Sequence, residues 1–308
     1  MSEGPEVKIM ADKIFNTLDN NITIQNILIN KIDEEIKSKI IGSYMEYVKT
    51  FGKNIVIKFS SGVYLRNHMM MWGKWRIYGR EEYDSGLAKS PPPSLWRTSH
   101  WKNKSKNADE ISLNKIKKSI DVRQDSRVRL VIITADNVLV QFNGPILQFS
   151  LDDPADREPI KSLGPDGLGS NFDKDTVLGK IKAKSKNSDM LIADALLDQQ
   201  IVSGIGNKYK SEILFLNKIY PFKKAGLLSE QELNKLVLDI PKILSYGYQN
   251  KGMTRPLLND EKTLWNTSHW VFRRSGKPCW VCCDKISSEK KMTLRITFWC
   301  PTCQPNEF

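Results

Sequence analysis

Ser203-Gly204-Ile205-Gly206-Asn207 stops one helical pattern and opens another. Before it, Leu191, Ile192, Ala195 and Leu196 form an apolar stripe at helical spacing, with Ser188 as the expected N-cap. After it, Lys208–Leu216 reads as a second helix that ends before Pro221. Two more helices are expected, around Ser229–Gly247 and over Asn259–Leu264. The glycines let the backbone approach a ligand closely, and the helix start that follows offers free N–H groups to an anion. The Asn207 side chain can add a donor. A tight helix–helix turn with no ligand would use the same glycines, and Gly-x-Gly alone does not choose between the two. Either way, residues 188–265 read as a helical domain.

Downstream, all five cysteines lie between Cys279 and Cys303. Cys279-x2-Cys282 and Cys300-x2-Cys303, with 17 residues between them, have zinc-ribbon spacing. Four thiolates would make a closed, structural site for one Zn2+, with no open position for catalysis. Cys283 is the fifth thiol, either spare or a substitute ligand. Between the pairs, Lys290, Lys291 and Arg295 fall on an expected β-hairpin, and an arginine on a rigid hairpin makes a good phosphate clamp. Zinc would supply folding energy to residues 266–308, a piece too small to fold alone.

Upstream, residues 1–151 change texture. Val7, Ile9, Met10, Ile14 and Leu18 predict a helix over 5–18, with Pro5 near its start. From Ile22 to Tyr78 the pattern is that of strands, including Ile22/Ile24, Ile55/Ile57/Phe59 and Val63/Leu65. Ser61-Gly62 and Gly52-Lys53-Asn54 read as turns, placing Lys53 at a hairpin tip, free to reach outward. Read alone, it is an ordinary solvated lysine. In Met69-Met70-Met71 at least one side chain must leave the core, since neighbours on a strand face opposite ways. A flexible methionine can fill a gap in a core, or a gap in a base stack. Residues 85–118 form a basic insert with Pro91-Pro92-Pro93, read as a flexible loop. It contains Leu95–Trp101, nearly copied at Leu264–Trp270, but seven residues do not make an architectural repeat. Strands resume at Val128–Thr134, Val138–Phe142 and Ile146–Leu151. Residues 152–187 read as a linker, in which Lys180, Lys182, Lys184 and Lys186 would put four charges on one side of an extended segment.

The chain has 308 residues, a net charge of +12 and a pI near 9.3, which points to a polyanionic partner, most often nucleic acid. No apolar run nears the ~20 residues of a membrane span, and the acidic N-terminus is unlike a signal sequence. An intracellular monomer is expected. At the N-terminus, Met1-Ser2-Glu3-Gly4-Pro5-Glu6 would expose the α-amine of Ser2 once Met1 is trimmed. An α-amine titrates near ~8, so a fraction is neutral and nucleophilic at neutral pH. The adjacent Glu3 carboxylate can carry a proton.

These pieces, in this order, resemble the formamidopyrimidine-DNA glycosylase/endonuclease VIII family. The resemblance rests on Ser2–Glu6, Gly52-Lys53, His68–Gly73, Leu196–Gln199 with Gly204–Tyr209 and Glu212, Leu214, Phe215 and Pro221, and Arg295–Cys303. His269–Arg274 looks more like the endonuclease VIII branch. The family implies a multidomain α+β chain: an N-terminal two-layer β-sandwich with flanking helices, a helix–two-turn–helix domain and a zinc finger. It implies a bifunctional DNA glycosylase/AP lyase acting on oxidised pyrimidines and hydantoin lesions, without a redox cofactor or catalytic metal. By resemblance, Ser2 is the nucleophile, Glu3 handles the proton, Lys53, Asn207 and Arg295 grip phosphates, and Met71 fills the hole left by base flipping. The family's usual second residue is Pro, and Ser2 departs from it. Two other readings compete: a binder of damaged or single-stranded DNA that has lost the chemistry, and a generic zinc-ribbon protein with helical DNA contacts. The first has no need of Glu3, and the second leaves residues 2–6 unexplained.

Overall fold

The computed structural model describes residues 2–18, 21–29, 31–92, 120–186, 188–257, 267–290 and 295–306. It divides into two compact units. One comprises Asp12–Val48 and Val56–Asp152, the other Ser2–Ala11, Lys49–Ile55 and Asp153–Phe308.

Helix α1 (Gly4–Leu18) opens the chain, as its apolar spacing predicts. Then come β1 (Asn26–Ile29), α2 (Glu34–Ile40), β2 (Met45–Phe51), β3 (Asn54–Phe59), β4 (Tyr64–His68), β5 (Lys74–Gly79), α3 (Arg80–Asp84), β6 (Val128–Ile133), β7 (Asn137–Phe142) and β8 (Ile146–Ser150). The strands form a β-sandwich of two four-stranded sheets, in the orders β1-β6-β7-β5 and β2-β3-β4-β8. Antiparallel registers pair Asn26 with Ile133, Lys74 with Phe142 and Tyr64 with Ser150. In β6 and β7 the polar–apolar alternation is lost because both faces are covered. Leu130 and Ile132 are fully buried on one face, while Val131 and Ile133 pack with Tyr78, Tyr83, Ala88 and Val122 on the other.

Three readings of this half are corrected. Ile22 and Ile24 precede the strand, which starts at Asn26, and the expected run of strands is interrupted by α2. Asp33 caps that helix by accepting the Glu35 N–H at 2.8 Å, with acids in its first turn and lysines in its last. Met70, Met71 and Trp72 lie in a turn rather than a strand, and all three are exposed while Met69 is buried. The start of the basic insert is folded: Ala88 is fully buried and Lys89 bridges Asp121. Residues 93–118, including the tryptophan-bearing near-copy, lie outside the described residues.

The second unit contains α4 (Lys174–Ser185), α5 (Ile192–Ala195), α6 (Asn207–Leu216) and α7 (Glu230–Gln249), then β9 (Ser287–Glu289) paired antiparallel with β10 (Thr297–Trp299). Helix α7 starts at a capping box in which Ser229 and Glu232 satisfy each other's backbone N–H groups. Its stripe of Leu233, Leu236, Val237, Ile240 and Leu244 packs on α4 and α6. The lysine series in the expected linker is helical rather than extended. Val177 and Ile181 anchor α4 in the core, and its lysines bind protein: Lys180 the Gln200 carbonyl, Lys182 Glu230 and Lys184 Asp198. Ser188 does not cap α5; Leu191 stands at that position, and the Ser188 hydroxyl donates to the Lys184 carbonyl. The helix expected over 259–264 lies outside the described residues.

Candidate active site

The helix start that the glycines expose does receive an anion, and the anion is this chain's own Glu3. Its side chain is 3% exposed. Oε1 accepts the Lys208 N–H at 2.9 Å, and Oε2 accepts those of Gly206 and Tyr209 at 3.1 Å each. These are three of the four N–H groups that a helix start leaves unpaired, at the end of α6 whose dipole favours a negative charge. Gly206 is required here, because a β-carbon on it would collide with the Glu3 carboxylate. Gly204 has φ of +93°, and its carbonyl accepts the Gly4 N–H at 2.8 Å. Gln199 braces the turn from inside, donating to the Leu197 and Ile205 carbonyls and accepting from Gly204 N–H. Ser2 is thereby held one residue from a fixed, buried carboxylate.

The sequence places Lys53 on a tip, and the structure confirms the turn but corrects its freedom. Asp166 accepts the Gly52 N–H at 2.7 Å and the Leu168 N–H at 2.9 Å, which ties the turn down. Burial pushes the Lys53 amine down to about 8; Glu3 opposes that shift and Arg295 adds to it. Lys53 is thus a half-buried cation within the electrostatic reach of both. Burial raises the Asp166 carboxyl, its two N–H donors opposing.

Asn207 is the first residue of α6. Its Nδ2 donates to the Ile296 carbonyl at 2.8 Å, and its buried Oδ1 has no hydrogen-bond partner among the described residues. That bond joins α6 to the segment bearing Arg295, which is exposed. Glu3, Lys53, Asn207 and Arg295 therefore gather in one unit. Met71 belongs to the other unit, exposed in its turn.

Several residues of this region were not singled out from sequence. Lys210 is fully buried in α6, with Nζ 2.6 Å from Thr297 Oγ1. Lys208, also buried, pairs with Glu6 and donates to the Gly252 carbonyl at 2.8 Å. Arg273 has φ of +60°, and burial pushes it down to about 10 while Glu3 opposes the shift. Glu212, quoted above only as part of a motif, accepts the N–H groups of Trp270, Val271 and Phe272 at 2.8–2.9 Å and the Thr254 hydroxyl. His269 is held neutral at physiological pH: burial first, then Lys208 and Arg273, push it down to about 3. No local pattern in the sequence marked them, because only the fold shows that positions 207–215 of this helix are all buried, where charges are rare without partners.

The four sulfurs of Cys279, Cys282, Cys300 and Cys303 lie within 4.8 Å of one another. Cys279 and Cys303 sulfurs are 3.9 Å apart, and those of Cys282 and Cys300 3.4 Å. A disulfide needs about 2.05 Å, whereas a tetrahedron with metal–sulfur bonds of about 2.3 Å has edges near 3.8 Å. The donor set therefore fits a tetrahedral metal. Val281 N–H and Cys303 N–H point at Cys279 Sγ and Cys300 Sγ, at 3.4 and 3.5 Å, as a thiolate pair would favour. Cys283 is exposed, outside the cluster, with φ of +68°.

Comparison with known proteins agrees with this geometry. The model of the formamidopyrimidine-DNA glycosylase N-terminal domain matches residues 1–122, and that of the formamidopyrimidine-DNA glycosylase H2TH domain matches residues 163–256. The chain is 28% identical to a formamidopyrimidine-DNA glycosylase of Ureaplasma parvum, over 99% of this chain and 100% of that one. It is 26% identical to an endonuclease 8 of Escherichia coli, again over 99% and 100%. The complex of Lactococcus lactis Fpg with DNA containing an abasic site has the same fold, with a TM-score of 0.72 and 20% identity over 99% of this chain and 100% of that one. The chain belongs to the formamidopyrimidine-DNA glycosylase/endonuclease VIII family of DNA-repair glycosylases with AP lyase activity.

Proposed function

We propose that this chain excises oxidised pyrimidines and hydantoin lesions from DNA and then nicks the strand, using the α-amine of Ser2 after removal of Met1. The carrying observation is Glu3: a buried carboxylate on three backbone N–H groups, one residue from that amine. A carboxylate that only capped α6 would need no free amine beside it.

The neutral amine attacks C1′ of the damaged nucleotide, forming a C–N bond as the glycosidic bond breaks. The base departs with the electron pair and is protonated. Glu3 accepts the proton that the attacking amine sheds and returns one to the ring oxygen as the sugar opens to the imine. Loss of a C2′ proton then expels the 3′ phosphate with the C3′–O electron pair. A primary amine suffices for each step, so Ser2 can stand where the family's usual residue is proline.

Lys53, Asn207 and Arg295 hold backbone phosphates in this reading, and the exposed Met71 enters the stack where the nucleotide was flipped out. The four-cysteine site holds zinc, which here supplies structure alone: its four thiolates leave no position for water. Lesion class follows the His269–Arg274 segment, since the relatives carry both family names. An intracellular location follows from the substrate. Among the described residues no helix is long and apolar enough to cross a membrane.

The test uses oligonucleotides bearing one thymine glycol, one spiroiminodihydantoin or one abasic site, as single strands and duplexes. Free base release together with a nick at the lesion is the expected result. Intact strands with every substrate, from protein of verified metal content and a free Ser2, would overturn the reading.

A further inference from the structure

The sequence put a lysine in the middle of a helix that is buried from Asn207 to Phe215, and neither the nucleophile, the proton carrier nor the phosphate grip makes use of it. Lys210 is fully buried, and its Nζ meets the Thr297 hydroxyl at 2.6 Å. Thr297, fully buried itself, begins β10, two residues after Arg295. Three residues before Lys210, Asn207 holds the Ile296 carbonyl at 2.8 Å. Two clips one helical turn apart therefore fasten α6 to consecutive residues of the Arg295 segment. The Asn207 clip could serve with any neutral neighbour. The Lys210 clip also brings a charge into a low-dielectric interior, where an uncompensated cation is expensive.

The groups facing that ammonium are Asp194 on α5, Glu3 on the N-terminal segment and Arg295 on the finger. Burial, the largest influence, and Arg295 oppose the charge, and together they outweigh Asp194 and Glu3, which favour it. The negative neighbours are partly committed elsewhere, Glu3 to three N–H groups. A phosphate arriving at Asn207 and Arg295 would add the missing negative charge.

We propose that Lys210 is a positioning residue for DNA binding: its buried ammonium, through Thr297, sets the placement of Arg295 on α6 and is stabilised when a backbone phosphate occupies the Asn207–Arg295 grip. The proposal rests on that grip. Burial pushes the amine down to about 7, so in free protein the charge is present below that pH and lost as pH rises through it. DNA affinity should fall over the same range, because binding must then take up a proton. Arginine in its place would stay charged throughout.

The experiment measures affinity for a duplex carrying a tetrahydrofuran abasic analogue, from pH 6 to 8.5 at fixed salt, with metal content and thermal melting recorded for each variant. Lys210→Met, close in shape and neutral, should keep its fold and metal but bind about tenfold more weakly at pH 6.5, the usual size of one lost charge-assisted hydrogen bond. It should also lose the part of the wild-type pH dependence centred near neutrality. Lys210→Arg should restore affinity and likewise flatten that dependence. Thr297→Val keeps the amine and removes its link, so it should weaken binding. If Lys210→Met does not fold, Lys210→Arg and Thr297→Val carry the test. Wild-type affinity and pH dependence in those two variants, or in Lys210→Met, would overturn the proposal. Arg295→Ala separates the two levels: if it binds weakly while the Lys210 and Thr297 variants are normal, only this inference fails, and if it binds normally, the grip itself fails.

Discussion

Two regions of the second unit hold a turn in place by opposite means. The Gly204–Tyr209 turn is fixed by Glu3, about two hundred residues away in the chain, with Gln199 bracing it from nearby. The Cys279–Cys303 finger is fixed by four sulfurs that all lie within its own short stretch. The first depends on packing and on backbone N–H groups aimed at one carboxylate. The second depends on a donor set fit for a metal. Where support is distant, removing one side chain should alter chemistry and leave most structure standing. Where support is a metal, removing the ion should melt the region and spare the rest.

The largest effect is expected at Glu3. Glu3→Gln should cut base release by about 10²–10⁴-fold, the usual worth of a positioned proton-transfer group. Its circular dichroism should stay native, since two of the three N–H bonds can still be accepted. Excision at the wild-type rate would reduce Glu3 to a helix cap. Next comes chelation of the finger. DNA affinity should drop about a hundredfold as Arg295 loses its support, while the β-sandwich signal persists. Full binding by metal-free protein would detach the finger from recognition.

Gly206→Ala sharpens the comparison, because it strikes the distant support without removing a charge. Crowding the Glu3 carboxylate should cost about 1–3 kcal/mol in denaturant unfolding, and activity should fall with it. An unchanged midpoint would mean that the turn relaxes freely. Lys53→Ala and Arg295→Ala should each weaken DNA binding and lower the salt slope by about one. For Lys53 the sign with pH is set by burial: its charge is present below about 8 and lost above, so its contribution should fade between pH 7 and 9. Unchanged slopes in both variants would remove them from the grip. The smallest effect is expected at Cys283, exposed and outside the sulfur cluster: Cys283→Ser should leave metal content and melting unchanged, and a lost metal would show that it takes part.

What could be read from the sequence follows the same division. The finger was legible because ligand spacing is local, helices α1 and α7 because their apolar spacing is local, and α6 because the Gly204–Gly206 break and Pro221 bound it. Most strands of the sandwich were found from their apolar runs and turns, but β1 was placed too early, at Ile22/Ile24. Short α2 was missed, with only Ile40 of its residues buried, although Asp33 and its paired charges marked it. The lysines of α4 were misread as an extended phosphate-binding edge because their alternation hid Val177 and Ile181, which face the core at helical spacing. Glu3 could be singled out, but its place on α6 could not, since no local pattern encodes a contact across two hundred residues. Lys53 was expected to be solvated because a turn's own residues do not reveal what covers it. Buried Lys210 became visible only with Thr297 beside it.

The central claim is that the amine of Ser2, set beside an immobilised Glu3, forms a Schiff base with damaged DNA. Borohydride trapping on DNA holding an abasic site or an oxidised base, followed by peptide mapping, tests it most directly. The account predicts a covalent adduct on Ser2 with both DNAs, absent when Met1 is retained. An adduct on a lysine that is indifferent to N-terminal blocking, or tight binding with no adduct at all, would contradict it.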